Sequence, residues 1–314
     1  MLYDVIVVGA GPAGLTAATN LSHRGLTALV LEKQPMPGGL PVLLYPDKII
    51  KDHPGFPVGI LGKELSRMLH MQAVNSGAEI KCDEEVLNVE KVGEDLFTVK
   101  TVKDEYSAKR VILSTGIVNT PRKLELLKDY SGPNIHYKIE HPEEFRDKSL
   151  VIVGGGDNAF DIAVQVCSIT RSTTILVREK YAKAMAHTVK AAEELGVKVL
   201  YNTELREVFE DQFGRIERIK VKELSTEKEK VIDVQEILVA IGFVPVKEFL
   251  RNNGFKPVKD GSVRVNKNLE TNIKGVFAAG DVTGEVRVIA KACADGITAA
   301  VHTFETIKKP YWLK

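Results

Sequence analysis

The chain has 314 residues, enough for two domains of ordinary size, and its 44% apolar and 27% charged residues are the balance of a water-soluble globular protein. Its 43 Lys and Arg against 42 Asp and Glu leave a net charge of +1, which excludes a general electrostatic pull toward nucleic acid or a membrane surface. No apolar run approaches the roughly 18 residues of a membrane helix, and the amino terminus enters a strand without an export signal, so the cytoplasm is the expected compartment.

In chain order, an apolar strand over 4–8 runs into the turn Gly9-Ala10-Gly11-Pro12-Ala13-Gly14. A helix is predicted over 11–24, stopped by Gly25, and a strand over 27–31 leads to Glu32 and Lys33. A long loop rich in turn residues follows, and loops of that length inside a domain are usually functional. Apolar residues at Leu65, Met68, Leu69 and Ala73 predict a helix over 62–76. Alternation predicts antiparallel strands over 85–89 and 96–101, and an apolar strand over 110–114 ends in Thr115-Gly116.

The strand–turn–helix pattern then recurs. A strand over 150–153 meets Gly154-Gly155-Gly156, a helix opens with Asp157, Asn158 and Ala159 and extends to 169, and a strand covers 173–177. A helix over 185–195, a strand over 198–201, a hairpin turning at 211–214, a second turn near 225–228 and a strand over 236–241 ending in Gly242 complete this half. The segment Gly-Val-Phe-Ala-Ala-Gly-Asp at 275–281 and a helix over 288–307 close the chain. The order predicts an α/β protein of two Rossmann-like dinucleotide-binding domains, one inserted into the other: 1–116 with 245–314, and 117–244.

The spacing Gly9-x-Gly11-x-x-Gly14 carries a stated chemistry. The first glycine permits the tight turn, the second lets backbone approach a pyrophosphate, and the third lets helix and strand pack closely. The phosphates then meet the free N–H groups and the dipole of a helix amino terminus. Glu32 stands where an acid accepts hydrogen bonds from an adenosine ribose. In the second unit, Gly154-x-Gly156-x-x-Ala159 repeats the spacing, but Val177 ends its second strand where an acid would stand. Arg178, with Lys183 nearby, suits the extra phosphate of NADPH, while Glu179 leaves NADH open. Two such units imply two bound dinucleotides with electrons passing between them.

Cys82, Cys167 and Cys293 form no Cys-x-x-Cys pair and no zinc spacing, and the seven histidines show no metal spacing either, so no metal is expected.

Gly-Ala-Gly-Pro-Ala-Gly, Ser-Thr-Gly at 114–116, Gly-Gly-Gly-Asp at 154–157 and Ala-Ala-Gly-Asp at 278–281 resemble the two-dinucleotide flavoproteins of the thioredoxin reductase type, over essentially the whole chain. The resemblance implies FAD in the first domain and NAD(P)H in the inserted one, and a homodimer. It implies that Gly280-Asp281 binds the ribityl–pyrophosphate region, that Val86 touches adenine through its backbone, and that the helix beginning at Val288–Ile289 aims N–H groups at the flavin N1–C2=O edge. Thioredoxin reductases carry a redox Cys-x-x-Cys shortly before the second glycine turn. Here that region, His136-Tyr-Lys-Ile-Glu-His-Pro-Glu-Glu-Phe145, has no cysteine, so direct thioredoxin reduction by that route is not expected.

That segment and Leu44-Tyr-Pro-Asp-Lys-Ile-Ile-Lys-Asp-His-Pro-Gly-Phe-Pro57 resemble the thioredoxin-reductase-like ferredoxin/flavodoxin–NADP reductases. In that group Tyr45 would stack on the isoalloxazine ring and Asp52 would lie near it, with Gly39 and Leu40 against the FAD. The implied activity is electron transfer from NAD(P)H through FAD to a ferredoxin or flavodoxin. Lys48, Lys51, Arg287 and Lys291 are candidates for a basic approach to an acidic carrier, and His53 for an influence on flavin N5. Three features depart from the group: Gly39-Leu40-Pro41 replaces a Gly-Gln-Leu, Val177-Arg178-Glu179 replaces a His-Arg-Arg triplet, and the chain ends in Pro310-Tyr-Trp-Leu-Lys314 without a longer extension. Trp312 is a candidate cap for a partner subunit's flavin or a surface-packed aromatic. An NAD(P)H oxidase or diaphorase, and a flavin-bearing sensor, are the alternative functions.

Overall fold

A computed structural model describes residues 1–310 apart from 117, 129, 131, 140 and 246; Trp312 lies outside the described residues. The chain divides into two units, Met1–Val118 with Pro245–Lys314, and Asn119–Val244.

In the first unit the strand Leu2–Val8 pairs in parallel with Ala28–Leu31 on one side and Glu105–Leu113 on the other. Glu79–Lys81 extends the sheet beyond Ala28–Leu31, and Val276–Ala278 pairs in parallel with Glu105–Leu113. Leu96–Thr101 and Val86–Gly93 add an antiparallel wing. Val5 to Val7 and Ala28 to Leu31 are buried without alternation, as expected of parallel strands covered on both faces. The register pairs Val8 with Leu31 and Leu113, and Leu113 with Ala278. Gly9, Glu32, Ser114 and Ala279 therefore leave the sheet at one edge, where open α/β sheets bind ligands.

The helix Pro12–His23 ends at Arg24, and Gly25 takes φ +70°, the left-handed conformation that stops it. It packs against the last helix, Ile289–Ile307. The contact is close because Gly296 has no side chain: a Cβ there would stand 2.3 Å from the Ala13 carbonyl oxygen. The loop after Glu32 is more ordered than its composition predicts. It contains the short helix Leu40–Leu43 and the antiparallel pair Ile49–Ile50 and Ile60–Leu61, then runs into the helix Gly62–Asn75. Glu79–Lys81 was not predicted either, since three residues at a sheet edge carry no periodic signal.

The second unit has a five-stranded parallel sheet in the order Ile135–His136, Glu236–Val239, Ser149–Val153, Ser172–Leu176 and Lys198–Leu200. Thr203–Glu210, Ile216–Glu223 and Glu229–Asp233 form a separate antiparallel sheet. The helix Asp157–Val166 is three residues shorter than predicted, with Cys167 as its cap.

Glu236 is 2% exposed and ties this unit together. His136 Nε2 lies 2.6 Å from one carboxylate oxygen, and Lys148 Nζ donates to the other at 2.7 Å. Burial pushes the Glu236 carboxyl up, but the hydrogen bonds and charges of His136 and Lys148 outweigh it, and the group ends below the ordinary glutamate range. A depressed folded pKa stabilises the protein above the unfolded value of about 4.3 and loses that effect as pH falls through the folded pKa. Glu236→Gln is expected to cost about 1–3 kcal/mol at neutral pH, less than a fully buried pair because Lys148 reaches solvent. Urea denaturation should show the gap between variant and parent closing between about pH 5 and pH 3; a gap independent of pH would rule the charge out as its source.

Candidate functional site

The first glycine turn separates into positions that the protein requires and one that it does not. Gly9 has φ +102°, and a Cβ there would lie 2.5 Å from the Ser114 carbonyl oxygen. A Cβ on Gly14 would stand 2.0 Å from the Gly9 carbonyl oxygen. Both are packing glycines. Gly11 is extended, with φ −75° and ψ −178°, and the nearest atom to a Cβ there is the Gly39 Cα at 3.8 Å. Nothing in the protein fills that space. Gly11 also caps a helix that no side chain caps and that has Pro12 in its first turn. Open space beside an uncapped helix amino terminus fits a pyrophosphate.

The surroundings hold this turn. Ser114 Oγ donates to the carbonyls of Val8 and Gly9, each at 2.9 Å. Glu32, 7% exposed, accepts from the Ala10 amide at 2.7 Å and the Gln34 amide at 2.9 Å, so it braces the turn. Each carboxylate oxygen keeps a second lone pair for a ligand hydroxyl. The Gly38 amide donates to the Ala10 carbonyl at 2.8 Å, and Gly39, with φ +65°, lies against Gly11, so Gly39 and Leu40 border the turn.

Gly280, the residue before Asp281, packs beside the same turn from a distant part of the chain. Gly280, with φ +78°, sits where a Cβ would be 2.9 Å from the Ala13 Cβ. Its amide donates to Asp295 Oδ2 at 3.0 Å, and Lys291 Nζ donates to the same oxygen at 2.6 Å. Burial pushes the Asp281 carboxyl up, against the opposing pull of Arg287 and Lys291. Val288 caps the last helix without a side-chain hydrogen bond, leaving the N–H groups from Ile289 onward to meet an anion.

The second unit repeats the division. A Cβ on Gly154 would meet the Ala240 carbonyl oxygen at 2.3 Å, and one on Gly155 would meet Val177 Cγ1 at 2.8 Å. Gly156 is extended, caps the uncapped helix Asp157–Val166, and has nothing nearer to a Cβ than the Lys183 carbonyl oxygen at 3.9 Å. Asp157 Oδ1 accepts from the Met185 amide at 2.9 Å, and the Lys183 amide donates to the Gly155 carbonyl at 2.6 Å, so residues 183–185 lie along this turn. Ala159 is fully buried beside Gly154, and Asn158 is half-buried. Arg178 is exposed and has no ion pair among the described residues, whereas Glu179 pairs with Lys183 at 3.3 Å. The acid that could oppose a phosphate on Arg178 is thereby partly neutralised.

Residues 3–296 match the model of the pyridine nucleotide-disulphide oxidoreductase family. The chain belongs to that family. Within it, a ferredoxin–NADP reductase of Halalkalibacterium halodurans is 32% identical over 95% of this chain and 91% of its own length. Another, ferredoxin–NADP reductase 2 of Shouchella clausii, is 33% identical with the same two shares. The thioredoxin reductase of Lactococcus lactis matches in structure with a TM-score of 0.87 at 28% identity, covering 97% of this chain and 99% of its own.

Several other predicted residues are positioned by this family's fold. Tyr45 is half-buried, with Lys48 Nζ 5.3 Å from its ring centre, and its backbone packs against Gly62. Asp52 is exposed, in the turn between the strands Ile49–Ile50 and Ile60–Leu61. Val86 is 8% exposed and packs in the core that holds Val8 and Leu31. Thr115 Oγ1 donates to the Gly116 carbonyl at 3.1 Å, and Gly116 and Gly242 take positive φ with nothing near a Cβ. His53 Nε2 lies 4.0 Å from Cys293 Sγ, at the side of the first helix. Of the four cations expected to offer a basic approach, Lys291 and Arg287 are engaged by carboxylates. Lys291 is held by Asp295 and Glu285, and Arg287 pairs with Asp260 at 3.0 Å. Sequence reasoning misses Ser114 and Asp295: a serine at a strand end is unremarkable, and the i,i+4 spacing of Lys291 and Asp295 reads as an ordinary helix ion pair.

The two kinds of glycine differ in what alanine should do. Gly11→Ala is expected to leave the stability of flavin-free protein within about 1 kcal/mol and to abolish tight FAD uptake. Gly14→Ala should destabilise by about 1–3 kcal/mol or more through overpacking. Denaturation of both variants beside fluorescence titration with FAD separates the two; equal stability losses would show that Gly11 is a packing glycine too.

Proposed function

We propose that the chain is an FAD-dependent reductase that takes electrons from NADPH and delivers them singly to a ferredoxin or flavodoxin. The observation that carries this function is the pair of open glycines, Gly11 and Gly156, each beside an uncapped helix amino terminus. One chain with two such places suits two pyrophosphates. The 32–33% identity to proteins named ferredoxin–NADP reductase, over nearly the whole chain, supports the choice of acceptor.

FAD would be held by Gly11, Glu32, Gly39, Asp281 and the amino terminus of Ile289–Ile307. NADPH would be held by Gly156 and Arg178. Bound FAD would supply the conversion of a two-electron hydride into single electrons. The chain's own part is binding, orientation and charge. The amino terminus at Ile289 would offer partial positive charge to the negative charge of a reduced ring. For each NADPH oxidised to NADP⁺, two carriers gain one electron each and one proton is released.

Thiol chemistry has no support here. Cys82, Cys167 and Cys293 are all unpaired. Burial pushes all three thiols up, with Glu32 and Asp83 adding to the effect at Cys82. A thiol held protonated is a poor nucleophile.

Anaerobic addition of NADPH to the FAD-loaded protein should bleach the flavin absorbance, and oxidised ferredoxin should restore it. Bleaching with no recovery on ferredoxin or flavodoxin, and fast recovery on oxygen, would make the protein an oxidase. Arg178→Ala should weaken NADPH binding roughly 10- to 100-fold, as for loss of a charge-assisted hydrogen bond, and leave NADH unchanged. Equal losses for both nucleotides would remove Arg178 from phosphate recognition.

A further inference from the structure

The loop that leaves the first glycine turn is seated at two points on the helix Gly62–Asn75. At the near end, buried Ser66 donates through Oγ to the Gly38 carbonyl at 3.3 Å, and a Cβ on Gly38 would lie 2.8 Å from the Ser66 Cβ. Gly38 in turn donates its amide to the Ala10 carbonyl, inside the turn that carries Gly11. At the far end, residues 45–48 form a turn closed by the Lys48 amide, which donates to the Tyr45 carbonyl at 3.2 Å. That turn rests on the start of the helix. The Gly62 amide donates to the Lys48 carbonyl at 2.9 Å, the Lys63 amide to the Pro46 carbonyl at 3.0 Å, and Lys63 Nζ to Asp47 Oδ1 at 2.6 Å. Two amides that the helix leaves without an internal partner thus take the Tyr45 turn as their cap. Gly62 admits the turn so closely because it has no side chain. A Cβ there would stand 2.3 Å from the Tyr45 carbonyl oxygen and 2.7 Å from the Pro41 carbonyl oxygen, and backbone atoms cannot swing aside as a side chain can. Alanine is otherwise the better residue in a helix, so these two carbonyls are the reason for glycine.

We infer that Gly62 is a positioning residue for the flavin: by admitting the Tyr45 carbonyl against the helix, it sets where the Tyr45 ring stands relative to the Gly11 turn. The inference rests on the proposed function, extended to Tyr45 as a wall of the flavin site. Tyr45 is the one aromatic residue of the stretch 33–48 and is half-buried. It follows the short helix Leu40–Leu43, whose cap, Gly39, lies against Gly11. A ligand that leaves its pyrophosphate at Gly11 and runs along this stretch meets the phenol ring, and offset stacking on an aromatic face suits an isoalloxazine. Gly62 and Ser66 lie four residues, about 6 Å, apart along one helix face. The two ends of such a ligand are therefore spaced by a single rigid element, through Ser66 and Gly38 at the phosphate end and through Gly62 and Tyr45 at the ring end.

The test is Gly62→Ala in full-length FAD-loaded protein, read as flavin fluorescence per bound FAD. A stacked phenol quenches the excited ring by electron transfer, so a turn pushed off the helix should raise the emission severalfold. FAD should still bind, because Gly11 and Glu32 are untouched. Tyr45→Leu should raise the emission at least as much, and Gly62→Ala added to Tyr45→Leu should change it no further, the non-additivity of residues that act through one another. Lys63→Glu is the second variant. It sets a carboxylate against exposed Asp47 on the same turn without entering the core, and a smaller rise is expected even where Gly62→Ala does not fold. Parental emission in Gly62→Ala, or in Lys63→Glu where the first variant does not fold, beside a rise in Tyr45→Leu, would overturn the positioning role and leave the function intact. Parental emission in Tyr45→Leu would remove Tyr45 from the ring and overturn the inference by that route. A parent protein that takes up no FAD would overturn the function, and the inference with it.

Discussion

The candidate flavin site depends on how closely the first helix and the last can approach. Pro12–His23 and Ile289–Ile307 meet where Gly296 faces the backbone of Ala13 and Ala17, with the nearest approach to a Cβ at 2.3 Å. Gly280 meets Ala13 a little further along. Any side chain at Gly296 would push the last helix outward, and with it Asp281, Lys291 and the amino terminus at Ile289. Hydrogen bonds from the Gly280 amide and from Lys291 to Asp295 then fix the loop that carries Asp281. Two small residues and one carboxylate thus bring a helix amino terminus and an aspartate to a glycine turn about 270 to 280 positions earlier in the chain.

The same economy operates in both units. Each parallel sheet ends its central strands in register, so that the glycine turn, the end of the neighbouring strand and the strand on the other side emerge together. The turns are alike in backbone and differ in their neighbours. Glu32 follows the strand beside the first turn and is buried against it, while Val177 and exposed Arg178 stand at the equivalent place in the second. A buried carboxylate suits hydroxyls and repels an added phosphate; an exposed guanidinium does the reverse. Differentiation of the two sites therefore rests on one strand end in each.

The chain belongs to a family named for disulphide chemistry yet has no Cys-x-x-Cys. Where thioredoxin-reductase-type chains carry the redox pair, this chain has His136 to Phe145, and the structure gives part of that segment another task. His136 binds the buried Glu236 and packs edge-on against Phe145, with ring centres 4.8 Å apart. The segment anchors the second unit's sheet. Lys148, at its end, completes the same ion cluster.

Much of this was legible in the residues alone. Strand–glycine–helix units at 4–24 and 150–166 announce themselves because a glycine turn, an apolar run and a helical period are properties of short stretches of backbone. The absence of a Cys-x-x-Cys is likewise written in the chain. The Gly-x-Gly-x-x-Gly spacing gives Gly11 and Gly14 different roles, but the atoms that meet a Cβ at each, the Gly39 Cα for Gly11 and the Gly9 carbonyl for Gly14, come only from the tertiary structure. Nor could the sequence tell that Lys291 serves Asp295 instead of a partner, or that Asp295 and Ser114 belong to the site. Local propensity and spacing are decided within a few residues, whereas Ser114 reaches Gly9 across 105 positions and Gly296 meets Ala13 from the far end of the chain, contacts that exist only because two helices and one sheet edge pack to within a side chain's reach.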